Sequence, residues 1–133
     1  MKKNNANLDI KNTTKTTKGK FLHLPFVDIK NSVLGEKYDL SLVFVGDKLS
    51  KKLNFQHRKK NQPTNILSFP LSKTSGEIFI NLAMAKKEAK KFERDFENFI
   101  TFLFIHGLEH LKGLEHSSRM ESKEIKIRKK FGV

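Results

Sequence analysis

The chain has 133 residues, of which 37% are hydrophobic and 31% charged, proportions that fit one globular domain with a buried core. It contains no cysteine, which excludes a disulfide framework and zinc sites built from thiolates. Lysine and arginine total 27 against 14 acidic residues, giving a net charge of +13. This excess favours polyanionic partners, nucleic acid before anionic membrane, although a lysine-rich surface without any binding patch is the alternative.

The N-terminal segment, residues 1–20, is rich in Asn, Thr and Lys. We expect it to form a polar, mobile arm or a poorly ordered edge segment ahead of a single domain at residues 21–133. The start of the chain lacks the apolar core of a signal peptide. The longest apolar stretch, residues 99–108, is too short to span a bilayer. These features predict a cytoplasmic protein that does not bind membranes.

Strand and helix signals alternate along the next part of the chain. Apolar and β-branched runs predict three short strands, at residues 38–45, 66–69 and 77–81, the second of them stopped by Pro70. Asp47 is placed to cap a short helix after the first strand. Asn81 is placed to cap an amphipathic helix after the third.

The following helix, from about residue 98 to residue 112, is apolar on nearly every side, which is typical of a helix at the centre of a domain. Gly113 ends this helix. A last, basic helix then runs to about Phe131, with Ile127 and Phe131 predicted to face inwards. Strands and helices mixed in this order predict an α+β fold, with helices packed on a small sheet.

Three histidines, His106, His110 and His116, lie within one short stretch of the chain. The first two share one face of a helix, a turn apart, so both can reach the same ion. A left-handed turn at Gly113 lets His116 approach that ion from outside the helix. Three neutral imidazoles leave one coordination position open, as in catalytic zinc sites. The spacing therefore predicts one catalytic zinc ion per chain, against the alternative of a helix with surface histidines.

The glutamates near the histidines do not match the pattern of zinc proteases. Those enzymes place a glutamate directly after the first histidine as the general base, and Gly107 occupies that position here. Glu109 lies about 100° around the helix from His110, so it is badly aimed at a metal-bound water. Glu109 and Glu115 are predicted to orient the ligand histidines, with solvated carboxylates as the alternative.

With these motifs the chain resembles the bacterial YbeY family, zinc-dependent endoribonucleases of ribosomal RNA maturation. Three segments carry the resemblance, in the family's order: LNFQHR with PTNILSFP, then GEIFI, then the histidine run at residues 106–116. Together with the flanking elements they cover about residues 38–131. The resemblance implies an α+β fold with a small mixed sheet and a central buried helix that carries two zinc-ligand histidines.

The resemblance also implies a function and roles for individual residues. It implies cleavage of single-stranded RNA in ribosomal RNA maturation and ribosome quality control, with the small ribosomal subunit or its assembly factors as partners. His106, His110 and His116 match the family's zinc ligands. Arg58 matches an arginine of the family's cleft, where a guanidinium holds the scissile phosphate and stabilises its charge. Where the family usually has aspartate before the third histidine, this chain has Glu115.

We therefore predict a zinc-dependent endoribonuclease with Arg58 as a catalytic residue. Lysines such as Lys59 and Lys60, with those of the last helix, guide the RNA backbone. One alternative is a ribosome-assembly or RNA-binding protein whose zinc is mainly structural, which predicts that RNA affinity survives Arg58→Ala and that nothing is cut. Another is a zinc hydrolase of a different substrate, such as a peptide, against which the absent glutamate and the basic charge both argue.

Overall fold

The computed structural model describes residues 7–15, 20–113 and 118–133. The elements of these ranges, in chain order, are β1 (Leu8–Asn12), a 3-10 helix (Lys20–His23), α1 (Phe26–Leu34), β2 (Asp39–Val45), α2 (Asp47–Arg58), β3 (Ile66–Ser72), β4 (Ser75–Asn81), α3 (Leu82–Lys91), α4 (Phe96–Leu111) and α5 (Ser118–Lys130).

The four described strands form one mixed sheet in the order β1-β2-β4-β3. β1 pairs parallel with β2, β2 pairs parallel with β4, and β3 pairs antiparallel with β4. The two central strands are the most apolar, and Leu42, Phe44, Ile78 and Ile80 are wholly buried. Strands that are buried on both faces have nearly continuous apolar sequences. The predicted α+β fold with a small mixed sheet is confirmed.

α4 is the central helix of the domain. It packs against β3 and β4, and α1, α3 and α5 surround it. Ile100, Phe104, Ile105 and Leu108 have no exposed surface, as expected for a helix that is apolar on nearly every side. Ile127 and Phe131 of α5 pack against the same core, as their spacing predicts. Among the helices of the described ranges, none is long and apolar enough to cross a membrane.

The N-terminal region departs from the sequence-based expectation. Residues 8–12, predicted to lie in a mobile arm or a poorly ordered edge segment, form the edge strand β1. Leu8 is buried in the core and Ile10 packs against it, whereas Asp9 and Lys11 are exposed. Apolar and polar residues do alternate here, as they do in a half-buried strand, but two apolar residues are too few to predict a strand. Pairing with the long apolar β2 stabilises this short strand.

Pro70 does not stop β3, which continues to Ser72. Pro70 lies opposite Gly76, and the register shifts between Pro70 and Ser72. β3 is at the edge of the sheet, and no other described strand pairs with its outer side. Proline, which has no N–H to donate, is tolerated on an edge for that reason.

The two predicted helix caps have different outcomes. The side-chain oxygen of Asn81 accepts a hydrogen bond from the Met84 N–H at 3.2 Å, so the cap of α3 is confirmed. Asp47, in contrast, lies inside the first turn of α2, and Gly46 is the capping residue. The Asp47 carboxylate instead accepts a hydrogen bond from the Asn81 side-chain amide at 2.8 Å. This bond ties the start of α2 to the end of β4.

Candidate active site

The C-terminal half of α4 brings His106 and His110 together. Their Nε2 atoms are 3.2 Å apart, and their ring planes cross at 82° with centroids 4.7 Å apart. Two nitrogen ligands of a tetrahedral zinc ion, each about 2.0–2.1 Å from the metal, are about 3.3 Å apart. The two imidazoles therefore have the spacing of two ligands on one ion.

Glu124 of α5 holds one of these histidines. Its Oε1 lies 2.9 Å from Nδ1 of His106, and Glu124 is itself buried at 8% exposure. A carboxylate at this distance favours the proton on Nδ1, which leaves the lone pair of Nε2 directed at His110. Hydrogen-bonded carboxylates behind ligand histidines are common in zinc sites.

Glu124 was not among the site residues predicted from the sequence, although its position in α5 carried a signal. The residue lies three positions before Ile127 and seven before Phe131, the two residues predicted to face inwards. Positions at these spacings share one helix face. An acidic residue on the inward face of a basic helix was therefore a candidate for a specific partner.

The two histidines line a cleft with a volume of about 580 Å³. Its walls come from the end of α2, the loop that follows, β3 and the C-terminal half of α4. The described lining residues are His57, Arg58, Thr64, Asn65, Ile66, Leu67, Ser68, Phe69, His106 and His110. The structure thus brings Arg58, the last residue of α2, to the same cleft as the histidine pair.

The inner face of α2 holds the loop that forms one wall of the cleft. Asn54 and Ser50 are both buried. The Asn54 amide donates to the carbonyl of Gln62 at 2.8 Å, and the Ser50 hydroxyl donates to the carbonyl of Thr64 at 2.8 Å. The Thr64 N–H donates back to the Ser50 hydroxyl at 2.9 Å. Since buried hydrogen bonds of this kind fix a loop in place, Arg58 and the loop are held as one unit.

Gly107 explains why the zinc-protease glutamate is absent. A Cβ atom at this position would lie 2.9 Å from Ile66 Cδ1, 3.0 Å from the Ser68 hydroxyl and 3.1 Å from Ile78 Cδ1. α4 therefore approaches the sheet too closely for a side chain to fit without movement. A glutamate there would collide with β3 and β4.

Glu109 lies in a second cavity, of about 260 Å³, between α1, α4 and α5. The residue is 2% exposed, and its Oε1 has no hydrogen-bond partner among the described residues. The described neighbours in this cavity are Ser32, Val33, Lys112, Ser122, Lys123, Lys126 and Ile127. The carboxylate that contacts a described histidine is that of Glu124, and the predicted orienting role of Glu109 stays a prediction.

The third predicted ligand and its neighbour cannot be placed. His116 and Glu115 lie outside the described residues. Within the described ranges, no group of three or more His, Cys, Asp or Glu side chains is arranged to hold a metal ion. Two of the three predicted nitrogen ligands therefore have a described position, and the role of His116 stays a prediction.

Replacing Glu109 by glutamine is expected to stabilise the protein, more at neutral than at acidic pH. Burial raises the pKa of the Glu109 carboxyl above its usual value of 4.5, and Lys112 offsets only part of that rise. The unfolded chain releases this proton at a lower pH, so stability falls as the pH climbs from the unfolded to the folded pKa. Urea unfolding at about pH 4 and about pH 7 tests this. A variant that is less stable at neutral pH would contradict it.

Nearly the whole chain is similar to proteins of known family. The family model described as Endoribonuclease YbeY matches residues 2–132. A protein of that name from Phytoplasma mali is 35% identical over 93% of this chain and 79% of its own length. Another, from Campylobacter jejuni, is 35% identical over 81% of this chain and 86% of its own length. A solution structure of a Thermotoga maritima protein aligns with a TM-score of 0.65 at 26% identity, over 90% of this chain and 85% of that one.

Proposed function

This chain belongs to the endoribonuclease YbeY family, and from that premise we propose that it is a zinc-dependent enzyme that cuts single-stranded regions of RNA. The observation that carries the proposal is the 3.2 Å approach of the His106 and His110 Nε2 atoms in a cleft that Arg58 also lines. The two histidines that we assign to the metal and the arginine that we assign to the phosphate line the same cleft.

We assign the zinc to His106, His110 and His116, one ion per chain. The first two fit the ion by their separation and by the carboxylate behind His106, whereas His116 is assigned from the sequence spacing. Zinc held by these three imidazoles would supply a Lewis acid and would lower the pKa of a water molecule to about 7. Glu124 keeps the His106 ring in one orientation and one tautomer.

Arg58 is assigned to the scissile phosphate. It is exposed at the end of α2 and lines the cleft, so its guanidinium is accessible to a strand in the cleft. Two parallel N–H donors match two phosphate oxygens, and the fixed positive charge stabilises the charge that develops during cleavage. The net charge of +13 favours RNA over neutral or basic substrates.

The cellular substrate we propose is ribosomal RNA in the cytoplasm. The enzyme would act in maturation of the small-subunit RNA and in ribosome quality control, with the small subunit or its assembly factors as partners. Family membership and the strongly basic charge support this assignment. Precursors of small-subunit RNA should accumulate in cells that carry the Arg58→Ala protein.

A direct assay separates this proposal from that of an RNA-binding protein with a structural zinc. A labelled RNA oligonucleotide is incubated with zinc-loaded protein, either alone or annealed to its complement. We expect cleavage of the single strand, suppression by the complement, and loss of cleavage when a chelator removes the metal. Binding of RNA without cleavage of either form would leave the structural-zinc function as the better account.

Replacing Glu124 by alanine is expected to weaken zinc binding by about 10- to 100-fold, the usual cost of losing a hydrogen-bond partner behind a ligand histidine. Glu124→Gln keeps the shape and an acceptor oxygen, so its effect should be smaller. Zinc affinity is measured by competition with a chromophoric chelator. Glu121→Ala, an exposed acidic position on the same helix, is the matched control. Equal zinc affinity in the Glu124 and Glu121 variants would refute the role of Glu124.

A further inference from the structure

The outer face of α2 carries an exposed aromatic side chain among lysines. Phe55 is 51% exposed. Lys48, Lys51 and Lys52 precede it on the helix, Lys59 directly follows the helix, and all four are exposed. Separations of three, four and seven residues from Phe55 place these side chains on one stripe. We call this set, Lys48, Lys51, Lys52, Phe55 and Lys59, the α2 stripe.

Phe55 is not an extension of the hydrophobic core. The buried residues of α2 are Ser50 and Asn54, which lie about 140° and about 100° around the helix from Phe55 and bind the following loop. Among the described residues Phe55 contacts no other aromatic ring, whereas Phe92, of similar exposure at 58%, stacks on Phe99 at 6.0 Å between ring centroids. About half of the Phe55 side chain is therefore accessible to a flat ligand.

The α2 stripe leads to the cleft. Phe55 lies three residues before Arg58, so the two occupy the same side of the helix about one turn apart. Arg58 lines the cleft with His106 and His110. Because Ser50 and Asn54 fix α2 to the loop in the cleft wall, the stripe has a fixed position relative to the histidine pair.

We propose that the α2 stripe is a docking surface for single-stranded RNA, on which Phe55 stacks with a base while the lysines bind the adjacent phosphates. The proposal rests on the proposed function, because the strand held on the stripe continues past Arg58 into the cleft. Aromatic rings that alternate with cations are the usual platform for single strands, since every base offers a π-face and every nucleotide a phosphate. A duplex keeps its bases stacked inside, so it gains nothing from Phe55.

The test measures RNA binding apart from cleavage. Fluorescence anisotropy with a short uridine-rich RNA gives the Kd of the His110→Ala protein, which is expected not to cut RNA, and of the same protein carrying Phe55→Ala, Phe55→Tyr or Phe92→Ala. We expect Phe55→Ala to weaken binding about tenfold, because base stacking on an aromatic ring contributes that much. Phe55→Tyr, which keeps the ring, should bind as the parent does, and Phe92→Ala should change Kd by less than about twofold.

The contribution of the lysines is measured by the salt dependence of RNA binding. Removing one phosphate contact lowers the slope of log Kd against log salt by about 0.7 for a single strand, so Lys52→Ala should show that decrease. The exposed position of Phe55 means that Phe55→Ala should unfold at the parent's temperature, which separates lost binding from lost structure.

Three results would overturn the docking surface. The first is an unchanged affinity of Phe55→Ala for the single-stranded RNA, and the second is an equal loss of that affinity in Phe55→Ala and Phe92→Ala. The third is a loss of affinity in Phe55→Ala that is as large for the same RNA annealed to its complement as for the single strand. The first would leave the stripe to a different partner, such as an acidic protein surface. Failure of the proposed function looks different, because the parent with His110 intact would then cut no RNA while the binding differences between the phenylalanine variants remained.

Discussion

Replacing His110 by alanine should weaken zinc binding by well over about 100-fold, more than the loss of a partner behind a ligand costs, and should lower RNA cleavage to the background rate. The reason is geometric. His110 Nε2 is 3.2 Å from His106 Nε2, and without it the proposed ion keeps only two protein ligands. Bound zinc is measured by elemental analysis after gel filtration, and cleavage by gel electrophoresis of labelled RNA.

The His110 variant should still fold, so its loss of activity is interpretable. His110 is in the last turn of α4 and is only partly buried, and alanine is a strong helix former. His23→Ala removes an exposed histidine of the 3-10 helix and serves as the matched control, with full zinc content and full cleavage. If His110→Ala retained its zinc and cut RNA as His23→Ala does, the histidine assignment would be wrong.

Replacing Arg58 by alanine should lower kcat by about 10²- to 10³-fold, the usual cost of removing one donor that stabilises charge in the transition state. Zinc content and thermal stability should stay at the parent's values, because Arg58 is exposed at the end of α2 and the described histidines lie on α4. Single-turnover cleavage with saturating enzyme measures the effect on chemistry rather than on binding.

Two further arginine variants sharpen that result. Arg58→Lys keeps the charge but not the two parallel donors, so it should recover only part of the lost rate. Arg119→Ala removes an exposed arginine of α5 and should cut at the parent's rate. If Arg58→Ala lowered RNA affinity but left the single-turnover rate unchanged, Arg58 would bind the substrate without taking part in catalysis.

The features predicted well from the sequence are those encoded in short periodicities. Because residues 98–112 are apolar on nearly every side of a helix, α4 was predicted to be the central helix. The four-residue spacing of His106 and His110 placed them on one face of it. The Asn81 cap was equally local, since the side chain binds an N–H three residues later. Family resemblance added what periodicity cannot supply, namely that Arg58 belongs beside these histidines.

The features that were missed depend on contacts between distant parts of the chain. Strand β1 exists because β2 offers it a parallel partner, which its own two apolar residues do not reveal. The bond from Glu124 to His106 joins residues 18 positions apart on two helices. The tight contact of Gly107 with β3 and β4 likewise follows from packing, so the sequence showed the missing glutamate without the steric reason for it.

Zinc titration of metal-free protein is the most direct test of zinc-dependent RNA cleavage. Protein stripped with a chelator is dialysed, supplied with increasing zinc, and assayed for single-strand RNA cleavage at each step. We expect no cleavage without metal, a rise in cleavage in proportion to added zinc, and a plateau at one zinc per chain. Equal cleavage by the metal-free protein, or one tightly bound zinc per chain with no cleavage of any RNA offered, would contradict a zinc-dependent endoribonuclease.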